Sequence, residues 1–253
     1  MKSVLMIKPA DALASVLFAG MLASQTAPGA DTPSFAAQQT FATGVNPESV
    51  TTADVNGDSK PDLIVANVHD NTLSVLLNTT APGATTPSFA TQQTFATGTH
   101  PVSVTAIDVN GDGKPDLIAA IPNDNNVSVL LNTTAPDATT PSFATQQTFA
   151  TGTNPFSVTA ADVNSDGKLD LILANANDNT LSVLLNTTTP GAAMPSFAAQ
   201  ESFATGTAPQ SVTTADVNGD GKPDLIVVNL IGNTVSVLLN TTVHDYIFAN
   251  GFE

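Results

Sequence analysis

The sequence predicts an all-β chain, a β-propeller built from four 54-residue blades of four short strands each. Three observations carry that expectation. The segment ADVNGDGKPDLIVVN (215–229) recurs as ADVNGDSKPDLIVAN from Ala53, IDVNGDGKPDLIAAI from Ile107 and ADVNSDGKLDLILAN from Ala161. The first aspartates of these copies, Asp54, Asp108, Asp162 and Asp216, stand 54 residues apart, a period that marks solenoids or propeller blades. No helical period is visible beyond the N-terminal segment, and Asn, Asp, Gly and Pro punctuate short apolar runs throughout.

Within one repeat the strands follow in order. SVTTADV (49–55) is rich in β-branched residues and bounded by Pro47 and the acidic loop, which suits a first strand. DLIVAN (62–67) is a short apolar run, as expected of a strand covered on both faces. TLSVLLN (72–78) follows the turn residues HDN and alternates Leu73, Val75 and Leu77 with more polar neighbours. SFATQQTFATG (88–98) sets Phe89 and Phe95 around a polar stretch, the mixed pattern of an outer strand.

The phase of the repeat bears on closure. The repeated region starts on an outer-type strand (34–43) and ends on the third-type strand TVSVLLN (234–240). If the N-terminal strand completes the last blade, no blade edge is left unpaired. The expectation is a monomer closed by this N-terminal clasp. The competing picture is an open array that dimerises into a larger ring, because four blades must splay widely to close.

Each acidic loop carries oxygen donors on alternating positions. With the first aspartate as position 1, positions 1, 3, 5, 7 and 9 are Asp54, Asn56, Asp58, Lys60 and Asp62 in the first copy and Asp108, Asn110, Asp112, Lys114 and Asp116 in the second. They are Asp162, Asn164, Asp166, Lys168 and Asp170 in the third, and Asp216, Asn218, Asp220, Lys222 and Asp224 in the fourth. A hard cation such as calcium takes six to eight oxygens from carboxylates, amide carbonyls and the main chain of a tight loop. Position 7 would give only its backbone carbonyl, leaving its lysine side chain free to point into solvent. Two carboxylates about 5 Å apart repel by roughly 3 kcal/mol at an effective dielectric near 20, and each loop holds three. Up to four calcium ions are therefore expected. The alternative is an Asx-rich turn that merely starts a hairpin, and its fourfold recurrence argues against it. An EF-hand is excluded, since position 12 is Val65, Ala119, Leu173 or Val227 where a bidentate Glu is needed.

Through GTNPFSVTAADVNSDGKLDLILAN (152–175) and its three counterparts, the chain resembles the FG-GAP/VCBS repeat family, whose calcium-loop blades also build integrin α-subunit heads. The resemblance covers 34 to about 242. It implies that the loop joins the first and second strands of each blade and that its side chains bind calcium. One departure is blade number, because propellers of this family commonly have more than four. Ser165 and Leu169 replace the Gly and Pro of the other loops, a change expected to weaken the third site.

Composition narrows the function. The formal charge is −16, with six Lys+Arg, all of them lysine, against 22 Asp+Glu, of which the four loops hold twelve. Binding nucleic acid or an anionic membrane requires clustered cations, so neither is expected. There is no cysteine for disulfides or thiolate metal sites. Residues 1–30 carry Lys2 and Lys8 before the apolar stretch ALASVLFAGMLAS, which resembles a secretory leader and is too short to span a membrane. The domain reading is thus a leader (1–30), the propeller (34–243) and a tail (244–253) containing Tyr246, Phe248 and Phe252.

His69, His100 and His244 do not recur with the repeat, and no nucleophile-elbow or HExxH string occurs, so an enzyme is not expected. Propeller lectins grip sugars with Trp or Tyr faces, whereas this chain has no Trp and one Tyr outside the repeats. NTT sequons at Asn78, Asn132, Asn186 and Asn240, and NVS at Asn126, follow from repetition. The expected function is a secreted or cell-surface, calcium-binding, non-enzymatic scaffold for adhesion or protein binding. The alternative is a calcium-dependent carbohydrate-binding module; the ligand, protein or glycan, is not named by the sequence.

Overall fold

The computed structural model describes residues 32–243. The leader reading for residues 1–30 and the tail reading for 244–253, with His244, Tyr246, Phe248 and Phe252, lie outside these residues. The chain divides between Ala37 and Gln38, and every strand lies after the division.

The described fold is all β. The first blade comprises β1 (Pro47–Ala53), β2 (Asp62–Asn67), β3 (Thr72–Leu76) and β4 (Gln93–Ala96), paired antiparallel in that order. The second comprises β5 (Ser103–Ile107), β6 (Asp116–Ile121), β7 (Asn126–Leu130) and β8 (Gln147–Ala150). The third comprises β9 (Pro155–Ala161), β10 (Asp170–Asn175), β11 (Thr180–Leu184) and β12 (Glu201–Ala204). The fourth has only β13 (Pro209–Ala215), β14 (Asp224–Asn229) and β15 (Thr234–Leu238). These are propeller blades.

Local sequence explains the strand ends. Between β2 and β3 and its equivalents, Asn71, Asn125, Asn179 and Asn233 adopt φ of 50–58°, a left-handed conformation that Asn tolerates better than most residues. The outer strand is shorter than the predicted 88–98. Phe89 makes an isolated bridge to Asn78, and ladder pairing resumes only at β4.

Blades stack through dry faces. Ile64, Ala66, Leu73 and Val75 of the first blade share a core with Val104, Leu117, Ala119 and Leu130 of the second. The second and third blades, and the third and fourth, repeat that arrangement. At the outer rim, Phe95 meets Phe143 edge-on at 4.8 Å between ring centroids, and Phe149 meets Phe197 at 4.9 Å. Such pairs contribute about 0.5–1.5 kcal/mol beyond area burial.

The N-terminal clasp is not formed. Residues 34–43 make no strand, and the fourth sheet has three strands. Phe41 instead lies 4.9 Å from Phe89 of the first blade, repeating the contact of Phe95 with Phe143 one period on. Phe41 is thus held at the first-blade end of the array, while the edge its segment was expected to complete is at the other.

Candidate metal centre

In every blade the acidic loop joins the first strand to the second, running from Asp54 to Pro61 between β1 and β2 in the first. The loop is coiled by its own side chains. At position 1, Asp108 Oδ1 accepts the amides of Gly111 at 2.7 Å and Asp112 at 3.2 Å, and its Oδ2 accepts that of Gly113 at 2.7 Å. Asp54, Asp162 and Asp216 accept the amides of positions 5 and 6 in the same way. Oδ1 of Asn56, Asn110, Asn164 and Asn218 accepts the position-5 amide, and Oδ1 of Asp58, Asp112, Asp166 and Asp220 accepts the amide of the lysine two residues on.

This coil needs positive φ at position 4, which Gly57, Gly111 and Gly219 supply at 69–78°. Ser165 takes φ of 56° there, and Ser59 takes 64° at position 6, where the other loops have glycine. The first loop therefore carries a non-glycine left-handed residue just as the third does, a departure the sequence reading passed over.

Position 9 is a buried anchor. Asp62, Asp116, Asp170 and Asp224 are inaccessible to water. Each accepts the amide of the loop's second residue, as Val109 donates to Asp116 at 2.9 Å, and that of the residue closing the third strand, as Asn132 donates at 2.8 Å.

The family match follows this geometry. A model of the FG-GAP-like repeat matches residues 54–119, 108–173 and 162–227, each match running from one acidic loop through the next. The chain belongs to the FG-GAP-like repeat family. No curated protein sequence matches it significantly. Among solved structures it is similar to BBS1N in complex with ARL6DN, soaked with lead, at 12% identity and a TM-score of 0.46, covering 78% of this chain and 58% of that one. The same complex soaked with mercury gives 12% identity and a TM-score of 0.48, over 79% and 59% of the two chains. The chain thus spans under two thirds of those neighbours' length.

The FG-GAP-like loops are not independent of their neighbours. Asn56 Nδ2 donates to the Ala138 carbonyl of the next blade at 3.0 Å, and Asn110 Nδ2 to that of Ala192 at 3.1 Å. Asn132 Nδ2 donates to the Val55 carbonyl at 2.9 Å, and Asn186 and Asn240 reach Val109 and Val163 alike. Sequence reading took these last asparagines only as sequons; their 54-residue recurrence was the signal for the structural role.

The lysine side chains do not all point into solvent, as the sequence suggested. Lys60 pairs with Asp58 at 3.3 Å, and Lys114 and Lys222 bend back to the carbonyls of Thr134 and Thr242.

Burial governs the charge of the anchors. It pushes Asp116 up from 3.8 to about 6, against its two amide donors and with added repulsion from Asp112 and Asp108. Asp62 and Asp170 are raised for the same reasons. Asp224 keeps the amides of Asn240 and Val217, but less protein surrounds it at the end of the array, and those donors lower its pKa.

Among the described residues, no group of three or more His, Cys, Asp or Glu side chains is arranged to hold a metal ion by itself. The donor chemistry fits a hard cation nonetheless. Every donor is oxygen, Oδ2 of each position-1 aspartate accepts a single amide and retains a further lone pair, and the mutual repulsion of the loop aspartates is felt at Asp62, Asp116 and Asp170. His69 and His100 lie 6.1 Å apart between ring centroids, a proximity the sequence did not reveal.

Proposed function

We propose that the chain is an exported, calcium-binding, non-enzymatic propeller scaffold that engages other proteins. The observation that supports calcium most is the gathering of three aspartates and an asparagine in each coiled loop, one aspartate being buried, with a pKa raised chiefly by that burial and further by the other two in three blades. Calcium would be held by side-chain oxygens at positions 1, 3, 5 and 9 and by the position-7 carbonyl. Those are Asp108, Asn110, Asp112, Asp116 and Lys114 in the second blade, and their counterparts in the others. A bound ion would neutralise the loop and brace it against the neighbouring blade that Asn56 and Asn110 touch.

Export is supported by the leader-like segment. The scaffold role is supported by the family and by a design in which near-identical loops recur around a rigid stack. Among the described residues, no helix is long and apolar enough to cross a membrane. The direct test is a count of bound ions on folded protein at millimolar calcium. Up to four per chain are expected, and a count near zero overturns the assignment.

A further inference from the structure

The contact between consecutive blades is built three times in the same way, and its two halves are left over at the ends of the array. In the third blade Ala174, Leu181 and Val183 are 0, 0 and 5% exposed because the fourth blade covers them, whereas their equivalents Val228, Val235 and Val237 are 47, 59 and 50% exposed. At the opposite end Val50 is 64% exposed, although its equivalents Val104, Val158 and Val212 are 6 or 7% exposed beneath a preceding blade. The hydrogen bonds stop at the same places. Val104, Val158 and Val212 each donate a backbone amide to a serine of the blade before, Ser49, Ser103 and Ser157, at 3.1–3.3 Å. The series continues only if Val50 of one array meets Ser211 of another.

The strand inventory matches these faces. Among the described residues the fourth blade has no outer strand. Residues 39–42 read QTFA, identical to β4 and β8, and Phe41 already sits on Phe89 as Phe95 sits on Phe143, which is where the outer strand of a preceding blade would lie. Phe35, 92% exposed, stands 54 residues before Phe89. A cleft of about 530 Å³ lined by Phe203, Leu185 and Leu238 opens at the rim of the fourth blade, where the equivalent phenylalanine of the other blades is missing.

We infer that two copies of this chain join head to tail. The fourth-blade face of one covers the first-blade face of the other, and residues 39–42 pair with β15 in the register that β4 keeps with β3, Val235 opposite Phe41 and Ser236 opposite Thr40. Phe35 fills the cleft beside Phe203. Made twice about a two-fold axis, this heterologous contact closes a ring of eight blades and covers the open edge of β15 in each copy.

The test uses the full chain. Light scattering at micromolar concentration is expected to give twice 25.7 kDa; a monomer, or a ladder of growing assemblies, overturns the ring. Val235→Asp and Val50→Asp, each at an exposed position of the single array, are expected to give folded monomers, and a dimer that survives both is not this one. Because the chain has no cysteine of its own, the double variant T40C/S236C reports the pairing directly. An interchain disulfide of doubled mass is expected on a non-reducing gel. An intrachain disulfide, which would mean that each copy clasps itself, or two free thiols, overturns the proposal.

Discussion

Asn132 reaches back 77 residues to donate its side-chain amide to the carbonyl of Val55, at 2.9 Å, tying the end of one blade's third strand to the acidic loop of the blade before. The same side chain accepts the Thr134 amide at 2.8 Å, so both ends of a buried carboxamide are satisfied. Asn78, which has no preceding blade, keeps only the bond to its own Pro61 carbonyl, the counterpart of those that Asn186 and Asn240 make to Leu169 and Pro223 beside their junction bonds.

Truncating Asn132 to Ala therefore orphans a buried carbonyl and a buried amide at a blade junction. A loss of about 1–3 kcal/mol is expected. Asn78→Ala, at a more exposed site outside any junction, is expected to lose less. Urea unfolding of the two variants makes the comparison, and equal losses would mean that the junction bond contributes nothing special.

Calcium is expected to raise the melting temperature and a chelator to lower it, because an ion that binds only the folded loop stabilises it by mass action. Four ions of +2 would add +8 to a formal charge of −16, so the ionic repulsion within the stack also falls. A melting curve indifferent to both additions contradicts the loop assignment.

Within one loop the positions differ in what they offer the ion. Asp220→Ala removes a carboxylate and is expected to reduce the ion count by one. Lys222→Ala keeps the backbone carbonyl and loses only the bond from Nζ to the exposed Thr242 carbonyl, so its ion count is expected to stay unchanged and its stability to move by no more than about 0.5 kcal/mol. Equal loss of ions in the two variants would show that position 7 acts through its side chain.

What the sequence disclosed was what is local and repeated. The 54-residue period, the strand order and the loop between the first and second strands all follow from short patterns that each blade carries in full. The fate of residues 34–43 did not follow. Strand phase gives them the pattern of an outer strand, but which blade they would complete depends on where the array's two ends lie in space, and that is set by the stacking angle between sheets. The bond from Asn132 to Val55 was hidden for a related reason, since its partners meet only once two blades have stacked. The turns of Lys114 and Lys222 toward carbonyls 20 residues on likewise depend on where the third strand ends.

Asp116 and Asp224 occupy the same position of the repeat and are expected to titrate apart. Asp116 is held up at about 6 by burial, above its ordinary 3.8, while Asp224 is drawn below 3.8 by the amides of Asn240 and Val217. In calcium-free protein the folded state then keeps a proton on Asp116 between about pH 4 and pH 6 that the unfolded chain has already released. Its contribution to stability is fully present below pH 4 and is lost as pH rises through 6, by at most about 3 kcal/mol at 1.36 kcal/mol per unit. Asp62 and Asp170, also raised, act in the same direction. Asp224 acts in the opposite one: its contribution is present above 3.8 and is lost as pH falls through its lowered value. Carboxyl-carbon NMR in the presence of a chelator separates them, with an Asp116 midpoint near 6 and an Asp224 midpoint below 3.8 expected. Coincident midpoints would mean that the flanking blades do not desolvate the anchor, and that the position in the array makes no difference to its charge.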